Sequence, residues 1–208
     1  MEGSELTREW IRQRKRDPYY RKAKAEGYRS RATYKLKQID SRVRLLKKGG
    51  RVLDLGASPG GWSQYAAERV GPGGLVVAVD LIPMDRIEGV TFIQGDISEK
   101  DTRERVKEIS KEFDLIISDI SPSLSGNRTL DRGRSLALAW EVMSFSGEVL
   151  RKGGNVVVKM FQGNEVDELK EGFASGFRRV DNIKPKSSLK RSIEMYLVFR
   201  GFEPSTEG

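Results

Sequence analysis

Short apolar segments and longer amphipathic segments alternate along most of the chain. The short segments are rich in Val, Ile and Leu and are bounded by glycine or polar residues, which is typical of buried strands. They occupy residues 51–55, 75–79, 91–94, 113–118, 155–160, 178–183 and 193–200. Apolar residues at helical spacing predict helices over residues 30–47, 62–70, 99–112, 134–150 and 165–175.

This alternation predicts an α/β fold with a mostly parallel sheet of seven strands and helices on both faces. A polar stretch without a helical pattern separates the last two strands, so we expect a terminal hairpin and one antiparallel strand. The chain has 208 residues and shows no internal repeat or linker-like segment. It is therefore predicted to form a single domain over residues 1–208.

Basic residues are concentrated at the N-terminus. Residues 1–48 contain 16 Lys and Arg against 6 Asp and Glu, whereas the rest of the chain is nearly neutral. Aromatic residues lie among these charges, which favours nucleic-acid binding over a merely solvated basic helix. We therefore expect a basic nucleic-acid-binding arm and helix at 1–48, followed by a core at 49–208.

The chain contains no His and no Cys. Disulfides, thiolate or imidazole metal sites and histidine-based nucleophile triads are therefore excluded. A general base must be a carboxylate, a lysine, a tyrosine or the N-terminus. The N-terminus lacks the pattern of a secretory signal and the apolar runs are too short to span a bilayer, so we expect a cytoplasmic protein without membrane partners.

A glycine-rich turn follows the first predicted strand. Its spacing is G-x-x-x-G-G, with Gly56, Gly60 and Gly61 leading into a predicted helix at Trp62. Such a turn places backbone N–H groups and a helix N-terminus against a ligand. The spacing differs from the dinucleotide motif and lacks the Lys-Ser/Thr pair of a phosphate-binding loop, so neither pyrophosphate nor triphosphate is the favoured ligand. The Trp62 ring is equally expected to stack on the ligand or to pack at the helix start.

Acidic residues follow the neighbouring strands. Asp80 ends the second predicted strand and can hold two ribose hydroxyls, Asp96 follows the third and can meet an adenine amine, and Asp119 follows the fourth. Each residue alone is more typical of a helix cap or a turn. Because the carboxyl ends of parallel strands meet at one edge of a sheet, together they predict a ligand-binding crevice there.

Lys159 ends the apolar segment 154–159, where an unpaired charge would be costly. Possible partners are Asp119, Glu194 at the start of the last strand, and Lys35 in the basic helix. In a chain without histidine, Lys159 is therefore a candidate general base.

Two further segments carry less specific patterns. Trp140 lies at helical spacing with Leu136 and Met143, which predicts a position in the core. The Ser-, Gly- and Asn-rich segment 121–132 follows Asp119 directly and is predicted to be a substrate-facing loop.

Taken together, these motifs resemble the FtsJ/RrmJ family of S-adenosylmethionine-dependent RNA 2′-O-ribose methyltransferases. The resemblance rests on residues 54–65 (DLGASPGGWSQY), 80–84 (DLIPM), 119–122 (DISP) and 157–163 (VVKMFQG). Residues near both ends extend it over nearly the whole chain. The sequence is most similar to the branch that acts on a uridine of large-subunit ribosomal RNA.

The resemblance implies a Rossmann-like methyltransferase fold, S-adenosyl-L-methionine as cofactor and no metal. It implies a catalytic tetrad of Lys35, Asp119, Lys159 and Glu194. The expected cofactor contacts are Gly56, Gly60, Trp62, Asp80, Asp96 and Asp119. The expected RNA contacts are Arg29, Arg31 and Lys37. The expected partner is ribosomal RNA, within the large subunit or its precursor, bound by a monomer.

The expected chemistry is in-line methyl transfer to a ribose 2′-oxygen, with Lys159 removing or steering the hydroxyl proton. Its protonation state is left open by the sequence. Three alternatives also stay open: a transfer RNA substrate, an mRNA cap substrate, and a non-catalytic RNA-binding or ribosome-assembly factor. The intact tetrad argues against the last, and the short chain lacks the segments that cap recognition would need.

Overall fold

The computed structural model describes residues 16–189 and 192–204. The beginning of the predicted basic arm, residues 1–15, lies outside the described residues. The described part of the chain contains six α-helices: α1 (Pro18–Ala25), α2 (Thr33–Val43), α3 (Gly61–Val70), α4 (Lys100–Ile109), α5 (Arg128–Val149) and α6 (Glu165–Phe173), the last continued by a 3₁₀ turn (Ala174–Gly176). The strands are β1 (Arg51–Leu55), β2 (Leu75–Asp80), β3 (Val90–Gln94), β4 (Phe113–Ser118), β5 (Leu150–Phe161), β6 (Phe177–Ile183) and β7 (Glu194–Phe202).

The seven strands form one sheet in the order β3-β2-β1-β4-β5-β7-β6. Strands β1 to β5 pair in parallel, and β7 runs antiparallel to both β5 and β6. The predicted mostly parallel sheet with one antiparallel strand is confirmed. The strand order reverses between β1 and β4, and such a switch point opens a crevice at the carboxyl edge of the sheet.

Successive residues of the central strands face opposite helix layers. Val52 and Val157 pack with α2 and α3, whereas Leu53 and Val156 pack with α4, α5 and α6. Both sets are buried, which explains why these strands consist of continuous apolar runs rather than alternating ones. Position along a strand therefore decides which helix layer a side chain meets.

Four elements differ most from the prediction. β5 begins at Leu150, five residues before the predicted strand. α1 is a helix of its own, capped by the Asp17 side chain, and the following Pro is the sequence feature that favours it. α2 ends early because Arg44 adopts a left-handed conformation with φ 54°. α5 begins early because the Asn127 side chain caps it, so the loop predicted over 121–132 is shorter than expected.

Trp140 is not a core residue, and the prediction that it would be is wrong. Its relative exposure is 38%. The ring packs beside Phe173, with ring centroids 4.5 Å apart, and lies over Gly172. The contact with α6 therefore covers one part of the indole and leaves the rest at the surface.

No helix in the described ranges is both long and apolar enough to cross a membrane. The carboxyl ends of the parallel strands meet at one edge of the sheet, and the loops that leave this edge carry the glycine turn and the predicted acidic residues. The site is therefore built from this edge.

Candidate active site

The glycine turn after β1 is closely surrounded by protein. A Cβ on Gly56 would overlap Ile120 in the loop after β4. A Cβ on Gly60 would lie 2.5 Å from Ile87 in the loop after β2, and one on Gly61 would meet the start of α2. Because glycines have no side chain, three neighbouring elements can pack closely against the turn and hold it in place at the crevice.

Asp80 joins this turn to the loop after β2. Its two carboxylate oxygens accept the backbone N–H groups of Ser58 and Ile82, both at 2.8 Å. Each oxygen keeps a further lone pair that a ligand hydroxyl can use. The N–H of Gly95 donates to the Asp80 carbonyl at 3.0 Å, so Asp96 lies at the same part of the edge.

Asp54 lies inside β1, directly before the turn, and is fully buried. Ser63 Oγ donates to Oδ2 at 2.5 Å, while Oδ1 has no partner among the described residues. Burial raises the pKa of this carboxyl to about 7, and the nearby charges of Asp119 and Asp80 add to the rise. Sequence reasoning passed over this residue, although an acid within an apolar strand is itself an unusual feature.

The four residues of the predicted tetrad meet at the carboxyl edge. Lys159 Nζ lies 3.2 Å from Asp119 Oδ1 and donates to the Asp119 carbonyl oxygen at 2.6 Å. Lys35 Nζ lies 2.7 Å from Glu194 Oε1 and 3.8 Å from Asp119 Oδ2. Asp119 therefore connects the two lysines into one cluster.

The sheet order explains this meeting. β5 lies between β4 and β7, so Lys159 in β5 is flanked by Asp119 after β4 and by Glu194 at the start of β7. Lys159 is two residues after Val157, which packs with α2 and α3. It therefore faces the same layer, where Lys35 on α2 reaches the cluster.

These four groups are largely buried, and their charges balance. Side-chain exposure is 5% for Lys159, 11% for Lys35, 14% for Glu194 and 17% for Asp119. Burial opposes ionisation of Asp119, but the positive charges of Lys159 and Lys35 outweigh it, so the pKa of its carboxyl lies below its usual value. Asp119 is therefore anionic at neutral pH, and its carboxylate forms ion pairs with both lysines.

Tyr196 is a member of the site that sequence reasoning missed. It is fully buried, lies opposite Lys159 in the β5–β7 register, and donates its hydroxyl to Asp119 Oδ1 at 2.6 Å. Burial, together with the charges of Asp119 and Glu194, raises its pKa well above the usual value, so the hydroxyl stays a donor. The period of two along a strand could have found it, because it shares a face with Glu194.

The Trp62 ring packs inside the protein. Its exposure is 3%, its Nε1 donates to the Ala32 carbonyl at 2.8 Å, and its ring centroid lies 5.6 Å from that of Tyr196. This geometry favours packing over ligand stacking for the ring. The backbone N–H of Trp62 lies in the first turn of α3, where helix donors are left without intrahelical partners, and it can contact a ligand.

The sequence predicts three cations as RNA contacts: Arg29, Arg31 and Lys37. Each of them has partners within the protein. Arg31 binds the Asp17 carboxylate at 2.5 Å and the Ser187 carbonyl in the loop between β6 and β7. Lys37 Nζ lies 3.2 Å from Glu26 Oε2 and close to three tyrosine rings. Arg29 donates to two carbonyls of the loop after β2, so part of the basic character near the site holds the structure together.

The fold and the site together define a Rossmann-like α/β enzyme. Its crevice suits a nucleoside ligand, and a buried lysine–carboxylate cluster lies next to that crevice. A model of the FtsJ-like methyltransferase family matches residues 28–202. The chain belongs to this family, as its motifs predict, and is a methyltransferase that needs a methyl donor.

Individual relatives agree with this assignment. Two proteins named ribosomal RNA large subunit methyltransferase E are similar over nearly their whole length. The one from Methanothermobacter thermautotrophicus is 46% identical over 201 residues, 95% of each chain. The one from Archaeoglobus fulgidus is 48% identical over 188 residues, 90% of this chain and 97% of the relative. A solved structure from Plasmodium falciparum, described as a ribosomal RNA methyltransferase, is 34% identical with a TM-score of 0.77 and covers 86% of this chain and 100% of its own.

Proposed function

We propose that this methyltransferase transfers a methyl group from S-adenosyl-L-methionine to a ribose 2′-oxygen of RNA. The proposed substrate is a uridine of large-subunit ribosomal RNA, within the subunit or its precursor. The names of the relatives support the ribosomal substrate. The observation that carries the chemistry is the buried Lys159–Asp119 pair at the carboxyl edge, beside the crevice.

The crevice residues fit a nucleoside-containing methyl donor. The free lone pairs of the Asp80 carboxylate suit the two hydroxyls of a ribose, and the Asp96 carboxylate suits the amine of an adenine. The buried Oδ1 of Asp54 has no partner among the described residues, which is rare for a buried polar atom and supports a polar ligand nearby. When bound, S-adenosylmethionine supplies an electrophilic methyl group on a positively charged sulfur.

Lys159 is placed to hold the acceptor hydroxyl. An ammonium group has three N–H donors, and two of them are directed at the carbonyl and the carboxylate of Asp119. The third is free for the ribose 2′-oxygen, which it would align for in-line attack. In its neutral form, the same Nζ accepts the proton of the hydroxyl.

Lys35 and Glu194 occupy the other side of the cluster. Their ion pair, with 2.7 Å between Nζ and Oε1, keeps the charge of Lys35 compensated in a mostly buried place. Lys35 retains donors that can contact the ribose or a phosphate of the substrate. We assign to this pair the positioning of the RNA next to Lys159.

The test is single-turnover transfer of a labelled methyl group at saturating RNA and cofactor. We expect Lys159→Ala to lose roughly 10²–10⁴-fold in rate, the usual contribution of a general acid or base, with cofactor affinity unchanged. Lys159→Arg should not rescue the rate, because a guanidinium does not release its proton to become a base. Lys152→Ala, which removes an exposed lysine from the same strand, is the matched control. A near-wild-type rate for Lys159→Ala would remove this residue from the mechanism.

The substrate is tested by offering large ribosomal subunits, naked ribosomal RNA and transfer RNA in parallel. A 2′-O-methyl group blocks alkaline cleavage of the next phosphodiester, because the free hydroxyl is the attacking group. One new alkali-resistant position in large-subunit RNA is the expected result. Methylation of transfer RNA alone, or of a base, would contradict the proposed substrate.

A further inference from the structure

The Arg29 side chain crosses from the N-terminal segment to the loop after β2. Its Nη1 donates to the Asp85 carbonyl and its Nη2 to the Arg86 carbonyl, both at 2.6 Å. Nη1 also lies 3.5 Å from the Pro59 carbonyl in the glycine turn. One guanidinium thus joins two loops that both border the crevice.

The loop held by Arg29 forms a wall of the glycine turn. A Cβ on Gly60 would lie 2.5 Å from Ile87 Cδ1, 2.6 Å from Met84 Sδ and 3.4 Å from Arg29 Cδ. The loop residues 83–87 therefore lie directly on the turn. The loop begins just after Asp80, the residue proposed to hold the ribose.

Arg29 is itself held firmly. Its backbone N–H donates to Gln64 Oε1 at 3.2 Å, and Gln64 Nε2 donates to the Gly27 carbonyl at 3.0 Å. Thr33 Oγ1 donates to the Gly61 carbonyl at 3.0 Å. The segment 27–33 is therefore fastened to the first turn of α3, and it provides a fixed base for the Arg29 side chain.

The loop has few other attachments. Across the described residues, the hydrogen bonds that reach residues 83–86 from outside the loop are those from Arg29. The preceding Leu81 and Ile82 are both 63% exposed. Loss of the Arg29 contacts would therefore leave this wall of the crevice held mainly by apolar contacts, such as those of the buried Ile87, and make it more mobile.

We propose that Arg29 is a positioning residue of the cofactor site, which fastens loop 83–87 over the glycine turn, rather than an RNA contact. The proposal rests on the proposed function, because it takes S-adenosylmethionine as the ligand of the crevice. Releasing the loop should weaken cofactor binding, because binding would then include the free-energy cost of ordering loop 83–87. Turnover at saturating cofactor should change little, because Arg29 touches none of the tetrad.

The test uses Arg29→Met, which keeps the apolar stem and removes the donors, and Arg42→Met, which removes an exposed cation from α2. Calorimetry should show a dissociation constant for S-adenosylmethionine raised roughly tenfold in Arg29→Met, as expected for lost hydrogen bonds from a charged group. It should be unchanged in Arg42→Met. The KM for the cofactor should rise with little change in kcat, and trypsin should cut after Arg86 faster than in wild type.

Each outcome separates the possibilities. Failure of the wild type to bind S-adenosylmethionine would overturn the proposed function and this proposal with it. Wild-type cofactor affinity in Arg29→Met, combined with weaker RNA binding, would make Arg29 an RNA contact and overturn this proposal alone. If Arg29→Met does not fold, Arg29→Lys serves instead, because a lysine reaches one carbonyl but not both. An intermediate cofactor affinity is then expected, and wild-type affinity would overturn the proposal.

Discussion

Asp119 is the residue that connects the buried lysine–carboxylate cluster. Its Oδ1 accepts the Tyr196 hydroxyl at 2.6 Å and lies 3.2 Å from Lys159 Nζ, while its Oδ2 faces Lys35. Buried charges are tolerated when each is paired and hydrogen-bonded. The chain meets this condition without a histidine, by using a carboxylate between two lysines and a tyrosine that stays protonated.

Asp54 makes the free energy of unfolding fall as pH rises. An acid that is paired with a cation has the opposite effect. Its pKa in the folded protein, about 7, lies above the ordinary value of 3.8. The folded state therefore keeps a proton that the unfolded state loses, and stability falls as pH rises from about 4 to 7. We expect Asp54→Asn to abolish this loss, which amounts to at most about 4 kcal/mol. Urea unfolding measures the free energy of unfolding of both proteins from pH 5 to pH 8. The value for the variant should rise relative to that of wild type as pH rises.

Asp114→Asn provides the control for this experiment. Burial opposes ionisation of Asp114, but the Arg51 N–H group and Arg151 outweigh it, so the pKa lies below its usual value. Its contribution is present at neutral pH and is lost on acidification. This loss takes place below the ordinary pKa of 3.8, so the difference between Asp114→Asn and wild type should stay constant from pH 5 to pH 8. A constant difference for Asp54→Asn across the range would mean that Asp54 is ionised in the folded protein.

At the scale of elements, the glycine turn depends on close approach by the loop after β4. Gly56 has φ 76°, and an added Cβ would overlap Ile120. We expect Gly56→Ala to lower the free energy of unfolding by roughly 2–4 kcal/mol, from left-handed strain and overpacking together. Gly71 has φ 69° and ψ −173°, a backbone region nearly restricted to glycine, with open space around it, so Gly71→Ala should cost about 1–3 kcal/mol from backbone strain alone. Chemical unfolding of the two variants measures the difference.

A second substitution isolates the contact. Ile120→Ala should remove Cγ1, the atom closest to the new Cβ, so Gly56→Ala should cost less in that background than in wild type. Such a coupling is the mark of residues in direct contact. Equal costs in both backgrounds would attribute the whole effect to the backbone conformation of Gly56.

At the scale of the whole molecule, some basic side chains bind other parts of the protein, whereas others are exposed at the surface. Arg31 ties the start of α1 to the loop between β6 and β7, at the carboxyl edge. Exposed cations on α1, such as Arg21 and Lys24, have no side-chain partner among the described residues. These free cations are better placed than Arg31 or Lys37 to contact phosphates without cost to the fold.

We expect the double variant Arg21→Gln, Lys24→Gln to bind ribosomal RNA more weakly. The dependence of log affinity on log salt should become shallower by about 0.7–0.9 per lost phosphate contact. The matched control is Lys111→Gln with Lys152→Gln, two exposed lysines at the opposite, amino edge of the sheet. Equal losses from both pairs in a salt titration would mean that net charge, not the α1 surface, governs RNA binding.

The sequence alone determined the layers of the fold and the chemistry of the site. The apolar runs predicted the strands of the sheet, because burial on both faces leaves a strand continuously hydrophobic. The polar stretch without a helical pattern between the last two strands predicted the antiparallel end. The absence of histidine and cysteine left carboxylates, lysines, tyrosines and the N-terminus as possible general bases. The strand-end positions of Asp80, Asp96 and Asp119 predicted one crevice, because parallel strands share a carboxyl edge.

Only the tertiary structure decided which side chains contact elements that are far away in sequence. Arg29 belongs to a basic, aromatic segment whose composition indicates nucleic acid, but the folded chain places its guanidinium on two carbonyls nearly sixty residues away. Tyr196 and Trp62 likewise acquire their roles from neighbours across the sheet. Local pattern specifies which face of an element is buried, whereas the partner of a polar group depends on three-dimensional proximity, which no local pattern contains.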